Sequence, residues 1–121
     1  MLEEAICYKV NPWNVGMQRV HKIIEYESKR GLTAWWTGMH TTLPDILVFD
    51  EDERLIRVYE STNYALPEYY ISREKAERYL TTLLKFNCEK IVVVSFESNL
   101  LDGKDYFEKH GIKVVVVGHQ D

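Results

Sequence analysis

Asp45 and Glu60 are the residues of this sequence whose types and spacing could do chemistry together. Pro44 and Asp45 precede an apolar run, Ile46 to Phe49, and the acidic stretch Asp50-Glu51-Asp52-Glu53 reads as a turn. Leu55 to Glu60 then return with strand-forming residues. The pattern predicts a β-hairpin. If Phe49 and Arg54 close its turn, Asp45 lies opposite Val58, and Glu60 is its diagonal neighbour on the same face, about 5–8 Å away. That face would also carry Leu47, Phe49, Ile56 and Val58. Two carboxylates at the edge of an apolar surface are costly unless paired, protonated or bound to a cation. A hard divalent ion such as Mg²⁺ suits such a pair.

Other residues could join them or do something blander. Glu27 falls inside an apolar helical stripe, where it is either a third site carboxylate or a helix-end residue reaching solvent. His40, just before the hairpin, could contact phosphate or a metal-bound water, although a lone loop histidine is more often solvated. Trp35 and Trp36 alternate across a strand and read as core and lid rather than as a stacking platform. The tyrosines Tyr59, Tyr64, Tyr69 and Tyr70 could stack on unpaired bases. They equally suit a homodimer interface, which the scarcity of basic charge beside them favours. The cluster Arg19, Lys22, Lys29 and Arg30, and a second at Arg73, Lys75 and Arg78, are interspersed with acids and read as solvated faces.

The elements that must position these residues follow from periodicity and punctuation. Residues 1–14 are ambiguous between a helical turn and an edge strand. From about Trp13 to Arg30 the stripe Met17, Val20, Ile23, Ile24 predicts a helix stopped by Gly31. Leu32 to Thr37 is a strand and Gly38 to Leu43 a loop. After the hairpin, Pro67 breaks an aromatic loop, and Ser72 caps a helix to about Phe86. Lys90 to Phe96 and Ile112 to Val117 are unbroken β-branched runs, the mark of strands buried on both faces. A short helix from Asp102 to His110 links them. The order α-β-β-β-α-β-α-β predicts an α/β sandwich around a central mixed sheet, its last two strands parallel.

Composition narrows the classes. A chain of 121 residues with 45% hydrophobic content forms a single domain, residues 1–121, with a proper core. The net charge of −4 gives no global attraction to nucleic acid or to an acidic membrane. Cys7 and Cys88 lie outside any ligand spacing, which points to a reduced, cytoplasmic protein without structural zinc. No apolar h-region opens the chain, and no stretch approaches about 18 apolar residues, so neither export nor a membrane span is expected. No Gly-rich phosphate loop follows any strand, which disfavours a nucleotide-type small-molecule site.

With Pro44-Asp45 opening the second strand and Glu60 ending the third, the chain resembles the PD-(D/E)XK, or restriction-endonuclease-like, nuclease superfamily. It looks most like the archaeal Holliday-junction resolvase branch. The loop Thr37-Gly38-Met39-His40 before Leu43-Pro44-Asp45 is similar, as is the run from Glu60-Ser61-Thr62 into SREKAERYL and IVVVSF. The resemblance spans residues 15 to 117, and implies a restriction-endonuclease-like α/β/α sandwich. It further implies a homodimeric endonuclease hydrolysing DNA phosphodiesters, selective for junctions or other branched structures. Asp45 and Glu60 would hold Mg²⁺ or Mn²⁺, which polarises the phosphate and acidifies a water. The family's first-helix glutamate has no clean match; His21 comes closest in spacing, with Glu27 or Glu25 serving as a substitute metal ligand. The family carries a lysine two residues after the Glu, where this chain has Thr62. Either the Thr62 hydroxyl orients the water without supplying charge, or Lys75 on the following helix takes the lysine's role. The departure leaves a second expectation: a catalytically silent relative that binds nucleic acid or protein.

Overall fold

Ile91 to Val94 are β-branched and buried, and their side chains alternate between two apolar clusters. Ile91 and Val93 belong to one, Val92 and Val94 to the other, so this strand is covered on both faces. The computed structural model describes residues 2, 15–38, 42–62, 64 and 66–117. Its elements are α1 (Val15–Lys29), β1 (Thr33–Trp36), β2 (Ile46–Phe49), β3 (Leu55–Ser61), α2 (Arg73–Leu83), β4 (Glu89–Val94), α3 (Asp105–Glu108) and β5 (Lys113–Val116). A 3₁₀ turn over Glu97–Asn99, not foreseen from the sequence, follows β4.

The five strands form one mixed sheet in the order β1-β2-β3-β4-β5. The first three are antiparallel neighbours, whereas β3, β4 and β5 run parallel and are linked through α2 and α3. The fold is a mixed α/β fold. Helix α1 brings Val20 and Ile23 to the cluster containing Tyr59, Ile91 and Val93. On the opposite face, Leu83 of α2 and Phe107 of α3 pack with Val58, Val92 and Val94.

Helix ends follow local chemistry. Gly31, at φ 79°, takes the left-handed position that lets its own N–H reach the Ser28 carbonyl and the Leu32 N–H reach that of Glu27. Ser72 caps α2 by accepting from the Lys75 N–H at 3.2 Å. Asp102 does not cap α3; that helix starts three residues on, at Asp105, with Lys104 preceding it.

The hairpin register also differs from the expected one. Asp50, not Phe49, closes the turn, its N–H donating to the Arg54 carbonyl at 2.9 Å. The Asp50 carboxylate accepts from the Asp52 and Arg54 N–H groups, and Glu53 sits at φ 62°. A bulge then shifts the ladder: Phe49 pairs with Leu55, but Val48 pairs with Arg57. Together these slide β3 by two residues, which preserves the facing of Glu60 because side chains alternate with period two. Ile56, the extra residue, goes to the α1 face instead of the expected one.

Candidate functional site

The two-residue slide brings Asp45 and Glu60 together more closely than the sequence suggested. Ile46 pairs with Tyr59, so one step further along the ladder Asp45 stands directly opposite Glu60. Each carboxylate holds the other strand's backbone. The Asp45 N–H donates to Glu60 Oε1 at 2.9 Å, and the Ser61 N–H donates to Asp45 Oδ2 at 2.8 Å. Glu60 is buried and Asp45 half-buried. Burial pushes the Glu60 carboxyl up to about 8, with the Asp45 charge adding to the rise, while the hydrogen bond from Asp45 and the charge of Lys75 oppose it. Asp45 is raised as well, mainly by burial, against the pull of the Ser61 N–H and Lys75.

Lys75 comes to this pair from the first turn of α2. Its ammonium lies 5.4 Å from the Tyr64 ring centre and 5.8 Å from that of Tyr79, over both aromatic faces. Its charge lowers the pKa of both carboxylates, without an ion pair to either among the described residues. Tyr79 sits one turn after Lys75. Burial and the nearby Glu60 and Asp45 charges raise its phenol well above the usual range, so it stays protonated at neutral pH.

Thr62 is buried, but its polar groups turn elsewhere. Its N–H continues the parallel ladder to the Val93 carbonyl at 3.0 Å. Its carbonyl accepts from Arg19 Nη1 at 2.6 Å, with the hydroxyl 3.5 Å from the same nitrogen. Arg19 also donates through Nη2 to the Ser95 hydroxyl. Its buried guanidinium thus ties α1 to the ends of β3 and β4, and does not belong to a solvated basic face. The sequence held a signal for this: Arg19, Ile23 and Glu27 recur every four residues, and all three are fully buried.

Glu27 does not join Asp45 and Glu60. It lies on the α1 face, bound to Arg57 at 2.9 Å and to Arg30 at 3.4 Å, and Arg57 in turn reaches Glu89 at 2.6 Å. A buried carboxylate needs such a partner, so a metal-ligating role for Glu27 is replaced by an ion-pair network. His40 and Cys7 lie outside the described residues. Trp35 and Trp36 are exposed, at 61% and 46%, rather than core and lid, and Trp35 packs on Phe49 with ring centres 5.4 Å apart.

A divalent cation fits the pair. Mg²⁺ takes one or two carboxylates and fills its remaining positions with water or phosphate oxygens, and here two hard oxygen donors are held together, with the proton on Glu60 standing where a cation would replace it. No cluster of three or more His, Cys, Asp or Glu side chains suited to a metal occurs among the described residues. No helix of the described residues is long and apolar enough to cross a membrane. No protein-family model, curated protein or solved structure matches this chain.

Proposed function

We propose that this chain is a metal-dependent DNA endonuclease of the restriction-endonuclease-like type. The single observation that carries the reading is the direct apposition of Asp45 and Glu60, with the Lys75 charge acting on both. The strand order and the helices on both faces of the sheet support it. Asp45 and Glu60 would hold the cation, Mg²⁺ or Mn²⁺. When bound, that ion supplies Lewis-acid polarisation of a phosphate and acidification of a water. Lys75, held over the Tyr64 and Tyr79 rings, supplies a positive charge beside the phosphate as negative charge develops there. The protonated Tyr79 phenol offers a hydrogen-bond donor on the same side. Thr62, its carbonyl and hydroxyl turned to Arg19, is the weaker candidate for the lysine's role.

The test is nicking of supercoiled and branched DNA with Mg²⁺ or Mn²⁺. Wild type should cleave, Glu60→Gln should not, and Lys75→Ala should slow cleavage by about 10²–10⁴-fold, the usual worth of such assistance. Failure of wild type to cleave any DNA overturns the reading. The Arg19–Thr62 contact favours one alternative, a silent relative that binds nucleic acid or protein, since a fixed guanidinium engages both the carbonyl and, at 3.5 Å, the hydroxyl of the residue where the family places its lysine.

A further inference from the structure

We propose that Tyr69, backed by Tyr64, and the exposed Tyr70 beside it form a stacking platform for an unpaired nucleobase, so that the substrate of the Asp45–Glu60 site carries a single-stranded stretch. The proposal rests on the endonuclease reading for its substrate class. Tyr69 and Tyr70 are 51% and 56% exposed, an arrangement that costs hydrophobic free energy unless something covers the rings. Their backbone is nonetheless held from beneath. Asn99, fully buried, donates from Nδ2 to the carbonyls of Leu66 at 3.0 Å and Tyr69 at 2.7 Å, while its Oδ1 accepts from the Phe96 N–H at 2.9 Å. The Ser98 hydroxyl donates to the Pro67 carbonyl at 2.7 Å, and the Ile71 N–H to the Asn99 carbonyl at 2.8 Å. A buried amide that satisfies both its donors and its acceptor fixes the backbone that carries the exposed rings, so little backbone ordering remains to be done on binding.

The platform is continuous with the acid pair. The Tyr69 and Tyr64 rings meet edge to face at 6.5 Å, Tyr64 underlies the Lys75 ammonium at 5.4 Å, and the Lys75 charge acts on Asp45 and Glu60. A base stacked on Tyr69 therefore lies at one end of a run of ring contacts that ends at Lys75. A single strand presents unpaired base faces to such a ring, whereas a duplex keeps its bases stacked within, and Lys75 supplies the local positive charge for the backbone.

The experiment measures anisotropy of fluorescein-labelled oligo(dT) and of a labelled duplex of equal length, both in EDTA, followed by cleavage of each with Mn²⁺. Oligo(dT) should bind more tightly than duplex. Tyr69→Ala or Tyr70→Ala should weaken oligo(dT) binding by about 5- to 150-fold, the range for one lost base–aromatic stack, with duplex binding unchanged. Tyr69→Phe and Tyr70→Phe, which keep the ring, should restore it. Equal affinity for the two DNAs, or alanine variants that bind oligo(dT) like wild type, overturns the proposal. So does sedimentation showing that the alanine variants turn a dimer into a monomer while DNA binding is unaltered, since the rings then cover a second copy of the chain. Selective oligo(dT) binding without cleavage by wild type leaves the platform standing and removes only the endonuclease reading.

Discussion

Glu60 is the side chain on which the chemistry and the stability of this protein meet. Its carboxyl titrates at about 8 in the folded chain, against an ordinary 4.5 when unfolded. Between those values the folded state binds more protons than the unfolded one, so stability falls as pH rises. The contribution is complete below about pH 4.5 and is lost as pH passes through about 8. Asp45, also raised, acts in the same direction. Thermal melting in EDTA should therefore give a Tm that declines across this window, and Glu60→Gln should flatten the decline. Adding Mn²⁺ should raise Tm more at pH 8.5 than at pH 5.5, because a cation replaces the proton only where the carboxylates are ionised. An equal Mn²⁺ shift at both pH values, or none, would remove the metal from Asp45 and Glu60.

At the level of elements, α1 contributes a buried polar line through the α1 face of the sheet. Arg19 fastens its beginning to β3 and β4, and Glu27 fastens its end to Arg57 of β3. Removing one partner of a buried ion pair leaves the other uncompensated, at a cost of about 3–5 kcal/mol. Arg57 keeps Glu89, so Glu27→Ala should lie near the lower end, about 3 kcal/mol by urea denaturation. Cleavage at saturating Mn²⁺ should be unaffected in the folded fraction. The element types and their order were legible because the β-branched runs, Gly31 and Ser72 each state a local preference that the tertiary structure keeps. The partners of Arg19 and Glu27 were not. A charged residue in an apolar stripe announces that it needs a counterpart, but Thr62, Ser95 and Arg57 are distant in sequence and reach it only through the sheet. Asn99 gave no signal at all, since its three partners are backbone groups. The hairpin register was misread for a different reason: the carboxylate of Asp50 and the left-handed Glu53 lengthen the turn, and neither feature shows in an alternation pattern.

Across the whole molecule, the candidate site is assembled from two kinds of connection. Asp45 and Glu60 meet through a hairpin, whereas Lys75, Tyr79 and the tyrosine platform arrive on the crossover between β3 and β4. Their common location is the end of the sheet where β3 and β4 run out, while the Glu27–Arg57–Glu89 network closes the opposite end of β3 on the other face. The bulge between Val48 and Phe49 has a bearing on how such a chain can diverge over generations. Within the paired stretch Arg57–Tyr59 a one-residue change turns every following side chain over, whereas a residue added at the tip or at the bulge lies outside the regular ladder and leaves the facing of Glu60 unchanged. Deleting one residue from Arg57–Tyr59 should turn the Glu60 carboxylate towards α1 and abolish Mn²⁺ binding by titration, whereas lengthening the tip at 51–53 by a residue or two, or deleting Ile56 at the bulge, should leave it intact. Inherited length variation in descendants of this chain is then expected to accumulate at the acidic tip and to be purged from the strand beside it.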